Sequence, residues 1–266
     1  MAYFPLIQGT ASGGTVSGTS HAVTMPSSIV AGETLMVFFV CNASNTTDTP
    51  SGWAKFFDET GDDHRLTIYT KTAAGSDTLT VTTDGSSTAG NATYRIQTNN
   101  SFQSAFAISS SAGFNVDPPN LAPTGGSEKY TWIAVGVGRQ TPTAYPANYT
   151  SNQLNAGMDL NNVFVASRNL EGSSENPAAF VLGSSTAGEW LAATVAIEER
   201  TPIVANFPII TSVGTIFAPA VNYAAQVIMD LLVATSSIIA PSSRASKKTN
   251  WVNEPKPDTD WINEQR

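Results

Sequence analysis

Cysteine is almost missing from this chain. Cys41 is the one copy in 266 residues, so no intrachain disulfide is available and the fold must be held by a packed core. Cys41 ends the apolar run Thr34–Val40 and reads as a small buried hydrophobe. Charge is scarce as well. Asp, Glu, Lys and Arg make up 13% of the chain, about half the ~25% usual for soluble domains. The polar surface must therefore come from Ser, Thr, Asn and Gln, a composition that suits sheets and turns better than helices. Histidine occurs twice, at His21 and His64. With one cysteine and no paired His or Cys spacing, a zinc centre is not expected, and the reading assigns no metal, no cofactor and no catalytic residue. Apolar runs all fall short of the ~18 residues of a spanning helix, so no membrane insertion is expected. The start Met1-Ala2-Tyr3-Phe4-Pro5 has neither a basic opening nor a long apolar stretch, which reads as a protein made in a cytoplasm and not exported by the usual secretory route.

What charge there is has one sign. The formal net charge is −8 and the isoelectric point near 4.7. Such a surface repels phosphate backbones and anionic lipid, so a nucleic-acid partner is not expected. The remaining composition is rich in core material, with 41% hydrophobic residues.

Residues 1–200 read as a succession of short strands separated by turn signals. Expected strands are Tyr3–Gln8, His21–Met25, Thr34–Val40, Leu66–Lys71, Thr78–Thr82, Thr93–Ile96, Phe102–Ile108, Tyr130–Val137, Val163–Ala166, Phe180–Leu182 and Trp190–Ile197, with Gly9–Ser20 as a Gly/Ser/Thr stretch. The run Thr34–Val40 is almost continuously apolar and predicts a central strand buried on both faces. Helical periodicity is absent from this region. The fold class is all-β: an antiparallel β-sandwich, jelly-roll-like, over 1–200.

After Arg200 the rhythm changes. Phe207–Pro219 aligns with Met229–Pro241 at an offset of 22 residues, with the apolar residues Ile209, Ile210, Ile216 and Phe217 matching Leu231, Leu232, Ile238 and Ile239. Two copies fall below the ~3 repeats that stacked units usually need. Residues 201–242 therefore read as a β-rich oligomerising segment completed by other chains, and a homotrimer is favoured. Residues 243–266 read as an extended tail. In it Thr249-Asn250-Trp251-Val252-Asn253-Glu254 recurs ten residues later as Thr259-Asp260-Trp261-Ile262-Asn263-Glu264. Trp251 and Trp261 are expected to anchor the tail in a partner, because Trp is enriched at binding hot spots.

The run Pro26–Phe38, followed by Pro50-Ser51-Gly52-Trp53 and closed by Ala192–Glu198, resembles a β-sandwich module common in phage structural proteins and some bacterial adhesins. The Ala-Pro and Trp-Asn-Glu repeats resemble segments that trail such modules in tailed-phage virion proteins. The resemblance implies a virion component, an oligomeric tail or head fibre, spike or capsid decoration, with other virion proteins as partners. It carries no functional residue across. The alternative is a carbohydrate-binding attachment module recognising host surface glycans.

Local chemistry leaves several readings open. Asp58, Asp62 and Asp63 around His64 offer hard oxygens for calcium or simply form an acidic hairpin between Lys55–Asp58 and Leu66–Lys71. His21 reads as a strand-start residue. Trp53 with Phe56 and Phe57 is a sugar platform or a core-edge aromatic cluster. Glu189 beside Trp190 is the kind of pair sugar sites use, or an exposed strand start. No P-loop and no Gly-x-Ser-x-Gly elbow occurs, and the chain is expected not to be an enzyme.

Overall fold

The computed structural model describes residues 4–97, 104–183 and 188–198. Among these the secondary structure is all strand, with no helix. The first half holds β1 (Leu6–Ala22), β2 (Thr34–Asn42), β3 (Ala54–Thr60), β4 (His64–Thr72) and β5 (Thr80–Gln97). The second half holds β6 (Ser104–Gly113), β7 (Asn115–Val116), β8 (Glu128–Gly138), β9 (Pro142–Ala144), β10 (Ser151–Met158), β11 (Asn161–Gly172), β12 (Phe180–Leu182) and β13 (Gly188–Ile197).

Two five-stranded antiparallel sheets result, in the orders β1-β5-β2-β4-β3 and β10-β11-β8-β13-β6, with a small third sheet β7-β12-β9. The all-β antiparallel sandwich expected from the sequence is what the structure shows. Its connectivity is simpler than that of an interleaved jelly roll: the chain passes between the large sheets once, from β5 to β6.

Alternation builds three apolar layers. Met36, Phe38 and Val40 of β2 point into the space between the sheets and meet Ile133, Val135 and Val137 of β8 and Leu191, Ala193 and Val195 of β13. The opposite faces are buried too. Leu35, Val37, Phe39 and Cys41 pack outward with Trp53, Tyr69 and Val81. Trp132, Phe164, Phe180 and Trp190 form an outer layer on the second sheet. Because side chains alternate with period two, a strand buried on both faces needs apolar residues at every position, and β2 supplies them.

Turn chemistry accounts for the Pro26–Glu33 and Pro50–Trp53 motifs. In the Pro26–Glu33 segment Ser28 and Gly32 take positive φ (57° and 90°), and the Glu33 carboxylate accepts from the Val30 N–H at 2.9 Å. Glu33 also lies 3.1 Å from Arg95 Nε, close enough for charge attraction but off hydrogen-bonding geometry. At Pro50–Trp53 the Trp53 N–H bonds back to the Pro50 carbonyl at 3.0 Å, and Gly52 has φ of 77°.

Three local expectations need correction. Gly9–Ser20, read as a Gly/Ser/Thr stretch outside the expected strands, is itself strand. It belongs to a 17-residue strand, β1, paired along β5 from Leu6↔Gln97 to Ala22↔Thr80, with register shifts after Ile7, Thr15 and Gly18 that absorb the bends. Thr78–Thr82 and Thr93–Ile96 are not separate strands either, since both fall in or against the 18-residue β5. The third concerns His21, which sits at the end of β1 and not at a strand start. Small residues at 9–20 carried no apolar alternation, yet they pair because a Thr/Ser/Gly ladder still satisfies its backbone on a neighbouring strand.

Glycines let the two sheets touch backbone to backbone. A Cβ on Gly90 of β5 would lie 2.7 Å from the Ala156 carbonyl oxygen and 2.8 Å from that of Asn161. One on Gly14 of β1 would lie 2.8 Å from the Gly157 carbonyl oxygen, and one on Gly157 would run into Asn161. Here the β10–β11 hairpin of the second sheet seals against β1 and β5 of the first.

Candidate ligand cleft on the second sheet

A cleft lies on the outer face of the second sheet. β13 and the edge strand β6 place Trp190 opposite Ser111 and Glu189 opposite Ala112. Two proline-bearing segments frame the space: Asn115 to Asn120, with Pro118 and Pro119, and Asn176 to Ala179. Proline fixes φ and resists collapse of such segments. They are joined by reciprocal backbone bonds between Leu121 and Glu175, both 2.9 Å, and by Val116↔Phe180 pairing of β7 with β12. The Thr194 hydroxyl donates to the Pro119 carbonyl at 2.6 Å, tying the loop to the sheet. Glu175 is held in turn by Arg168 at 3.3 Å and by the Tyr149 hydroxyl, which donates at 3.3 Å.

The result is an open cleft of about 660 Å³ lined by Ser111, Asn115, Asp117, Asn120, Asn176 and Trp190, with Ala112, Pro118, Pro119 and Ala179 as apolar wall. Trp190 is 6% exposed. Its indole N–H is buried and has no acceptor among the described residues. Among the described residues no lysine, arginine or histidine lines the cleft. Its chemistry is amide, hydroxyl, one carboxylate and an aromatic ring.

The chain matches no family model, no curated protein and no solved structure.

The site residues singled out in the sequence are placed unevenly. Trp251, Trp261, Ile209, Ile210, Ile216, Phe217, Leu231, Leu232, Ile238 and Ile239 all lie outside the described residues. Cys41 is fully buried, and burial pushes its thiol up to about 12. Trp53 is buried in the outer layer of the first sheet with Lys71 Nζ 5.7 Å over its ring, so it is a packed aromatic and not an open platform. Phe57 faces the inner core, and Phe56 packs against the same core because a register shift between Lys55 and Phe57 breaks the alternation.

The Asp58–His64 region is a hairpin, β3 to β4, as one reading held. Its carboxylates do not converge. Asp58 pairs with Lys55 at 2.9 Å and accepts from the Thr67 hydroxyl at 3.0 Å, whereas Asp63 holds Arg139 through two bonds of 2.8 and 3.0 Å. Among the described residues no three His, Cys, Asp or Glu side chains cluster at metal-binding separation.

Both histidines are structural pins. His21 is fully buried, with Nδ1 2.7 Å from the Thr15 hydroxyl and Nε2 3.1 Å from that of Thr83. His64 Nδ1 lies 3.1 Å from Asn161 Oδ1. The Asn161 amide then donates to Asn42 Oδ1 at 2.5 Å and to the Thr88 hydroxyl at 3.0 Å. This closes one end of the inter-sheet core with polar groups from both sheets. His64 Nε2 is buried without a partner at hydrogen-bonding geometry, although the Glu189 backbone is close enough to favour the charged form. Burial dominates and lowers the pKa of His64. The Asn161 bond and the Asp63 charge oppose it, and Arg139 reinforces it.

The asparagines of the cleft were missed in the sequence. Their signal was the pair of turn-forming strings Asn115-Val116-Asp117-Pro118-Pro119-Asn120 and Glu175-Asn176-Pro177. Nothing in the sequence says that Leu121 and Glu175, 54 positions apart (175 − 121), bring these segments together.

Proposed function

We propose that this chain is a non-enzymatic structural component of a bacteriophage particle, an oligomeric appendage such as a tail or head fibre or spike, or a capsid decoration. One observation carries the reading: the sandwich spends its charges on itself. Every lysine and arginine among the described residues is engaged within the chain. Lys55, Arg65, Lys71, Arg95, Arg139 and Arg168 pair with carboxylates, and Lys129 sits over Phe4. Three apolar layers lie behind them. Such a body is suited to bear load in an assembly. The sequence resemblance of Pro26–Phe38, Pro50–Trp53 and Ala192–Glu198 to phage β-sandwich modules supports the same reading.

The trailing segments supply the contacts in this proposal. Residues 201–242 bury their paired aliphatics by association of three chains, and Trp251 and Trp261 dock onto another virion protein or a neighbouring copy. At roughly 3.3 Å per residue an extended tail sets the two indoles about 33 Å apart. Each docked Trp is worth ~2 kcal/mol or more. Synthesis in the host cytoplasm and residence in the virion follow from this reading, which involves neither nucleic acid nor membrane. The test is a double substitution, Trp251→Ala with Trp261→Ala. The variant is expected to keep the sandwich's melting temperature and to be lost from assembled particles. Normal incorporation overturns the docking reading, and so does unfolding of the sandwich.

A further inference from the structure

We propose that the cleft beside Trp190 binds a neutral, hydroxyl-rich ligand: a sugar residue of a glycan chain. A hydroxyl donates one hydrogen bond and accepts others, and so does a primary amide. Asn115, Asn120 and Asn176 therefore match sugar hydroxyls in either direction, with Ser111 as a fourth group of the same kind and Asp117 as an acceptor. The wall of Ala112, Pro118, Pro119 and Ala179 offers apolar surface to the C–H face of a pyranose, and Trp190, packed behind it, brings an indole N–H that has no acceptor among the described residues.

The lining also excludes other ligands. With no cation among the described lining residues, phosphate, sulfate and uronic or sialic acid carboxylates meet no charge of opposite sign. An apolar molecule would strip water from three amides without replacing their hydrogen bonds, which costs free energy for each group left unpaired. A volume of about 660 Å³ lies within the ~300–1,000 Å³ of small-ligand sites. The frame is already set before any ligand arrives: Thr194 holds Pro119, Leu121 and Glu175 bond reciprocally, and Arg168 and Tyr149 fix Glu175. A preformed site avoids the ordering cost of binding.

The inference rests on the cleft alone. Its failure leaves the particle assignment standing, and failure of that assignment leaves the cleft as it is. The full-length chain is applied to an array of neutral, N-acetylated, sulfated and sialylated glycans, and the best neutral oligosaccharide is then titrated by calorimetry. Neutral or N-acetylated chains are expected to bind and their sulfated or sialylated counterparts to bind more weakly. Asn120→Ala and Asn176→Ala, both at exposed positions, should each weaken affinity about tenfold, or about 1.4 kcal/mol, with the melting temperature unchanged. Trp190→Phe keeps the outer layer filled and should weaken binding as well. Absence of neutral-glycan binding at millimolar ligand overturns the proposal. Selective binding of acidic glycans, or unchanged affinity in the Asn120/Asn176 double variant, does the same.

Discussion

At the scale of single residues, the two histidines set how the fold responds to acid. Burial lowers the pKa of both His21 and His64 below the ordinary 6.5. The unfolded chain therefore binds protons that the native state refuses. Stability from these sites is fully present above pH 6.5 and is lost as pH falls from 6.5 toward the lower folded-state values. The carboxylates act in a separate window. Burial alone would raise Asp77, but its bonds to Lys71 and to the Ala74 and Gly75 N–H groups outweigh that and lower it below 3.8. Its contribution disappears only at more acid pH. Melting temperature followed from pH 8 down to pH 3 should thus decline first below 6.5 and again below 3.8. His21→Gln with His64→Gln should flatten the first decline and leave the second. A first decline that survives both substitutions contradicts the assignment.

At the scale of elements, the points where strands approach most closely are the most demanding. Gly90→Ala forces a methyl against the Ala156 and Asn161 carbonyls, and Gly157→Ala forces one against Asn161. Overpacking of this kind costs ~1–3 kcal/mol. Gly18, whose Cβ would meet only the Val16 carbonyl oxygen at 3.9 Å, should accept Ala with little change. Chemical denaturation of the three variants checks the order. Equal stabilities would mean the sheets do not meet at this seam. The same elements show what a sequence discloses. Thr34–Val40 was readable as a doubly buried strand because every position is apolar. The β3–β4 hairpin was readable because its acidic turn separates two alternating runs. β1 was not, since Gly9–Ser20 has no apolar period and its pairing depends on β5, whose residues lie 60 or more positions away. The cleft was half legible: Glu189-Trp190 drew notice, but its asparagines meet Trp190 only through long-range pairing of β6, β7 and β12.

At the scale of the whole molecule, charge is divided along the chain. The first 204 residues carry the entire formal net charge of −8, and residues 205–266 balance five acidic with five basic side chains. Acidic bodies repel one another, so in the proposed assembly the apolar 201–242 segment, whose one charged side chain is Asp230, provides the attraction. Full-length protein is expected to be trimeric by light scattering. Protein truncated after residue 204 is expected to be a folded monomer, with an all-β circular-dichroism spectrum. A monodisperse full-length monomer rules the trimer out. The most direct measurement of the central claim is quantitative mass spectrometry on purified particles produced by the genome that encodes this chain. The account expects the intact chain at a fixed copy number per particle, in a multiple of three. Its absence from infectious particles, or variable trace amounts, would contradict a structural role in the virion.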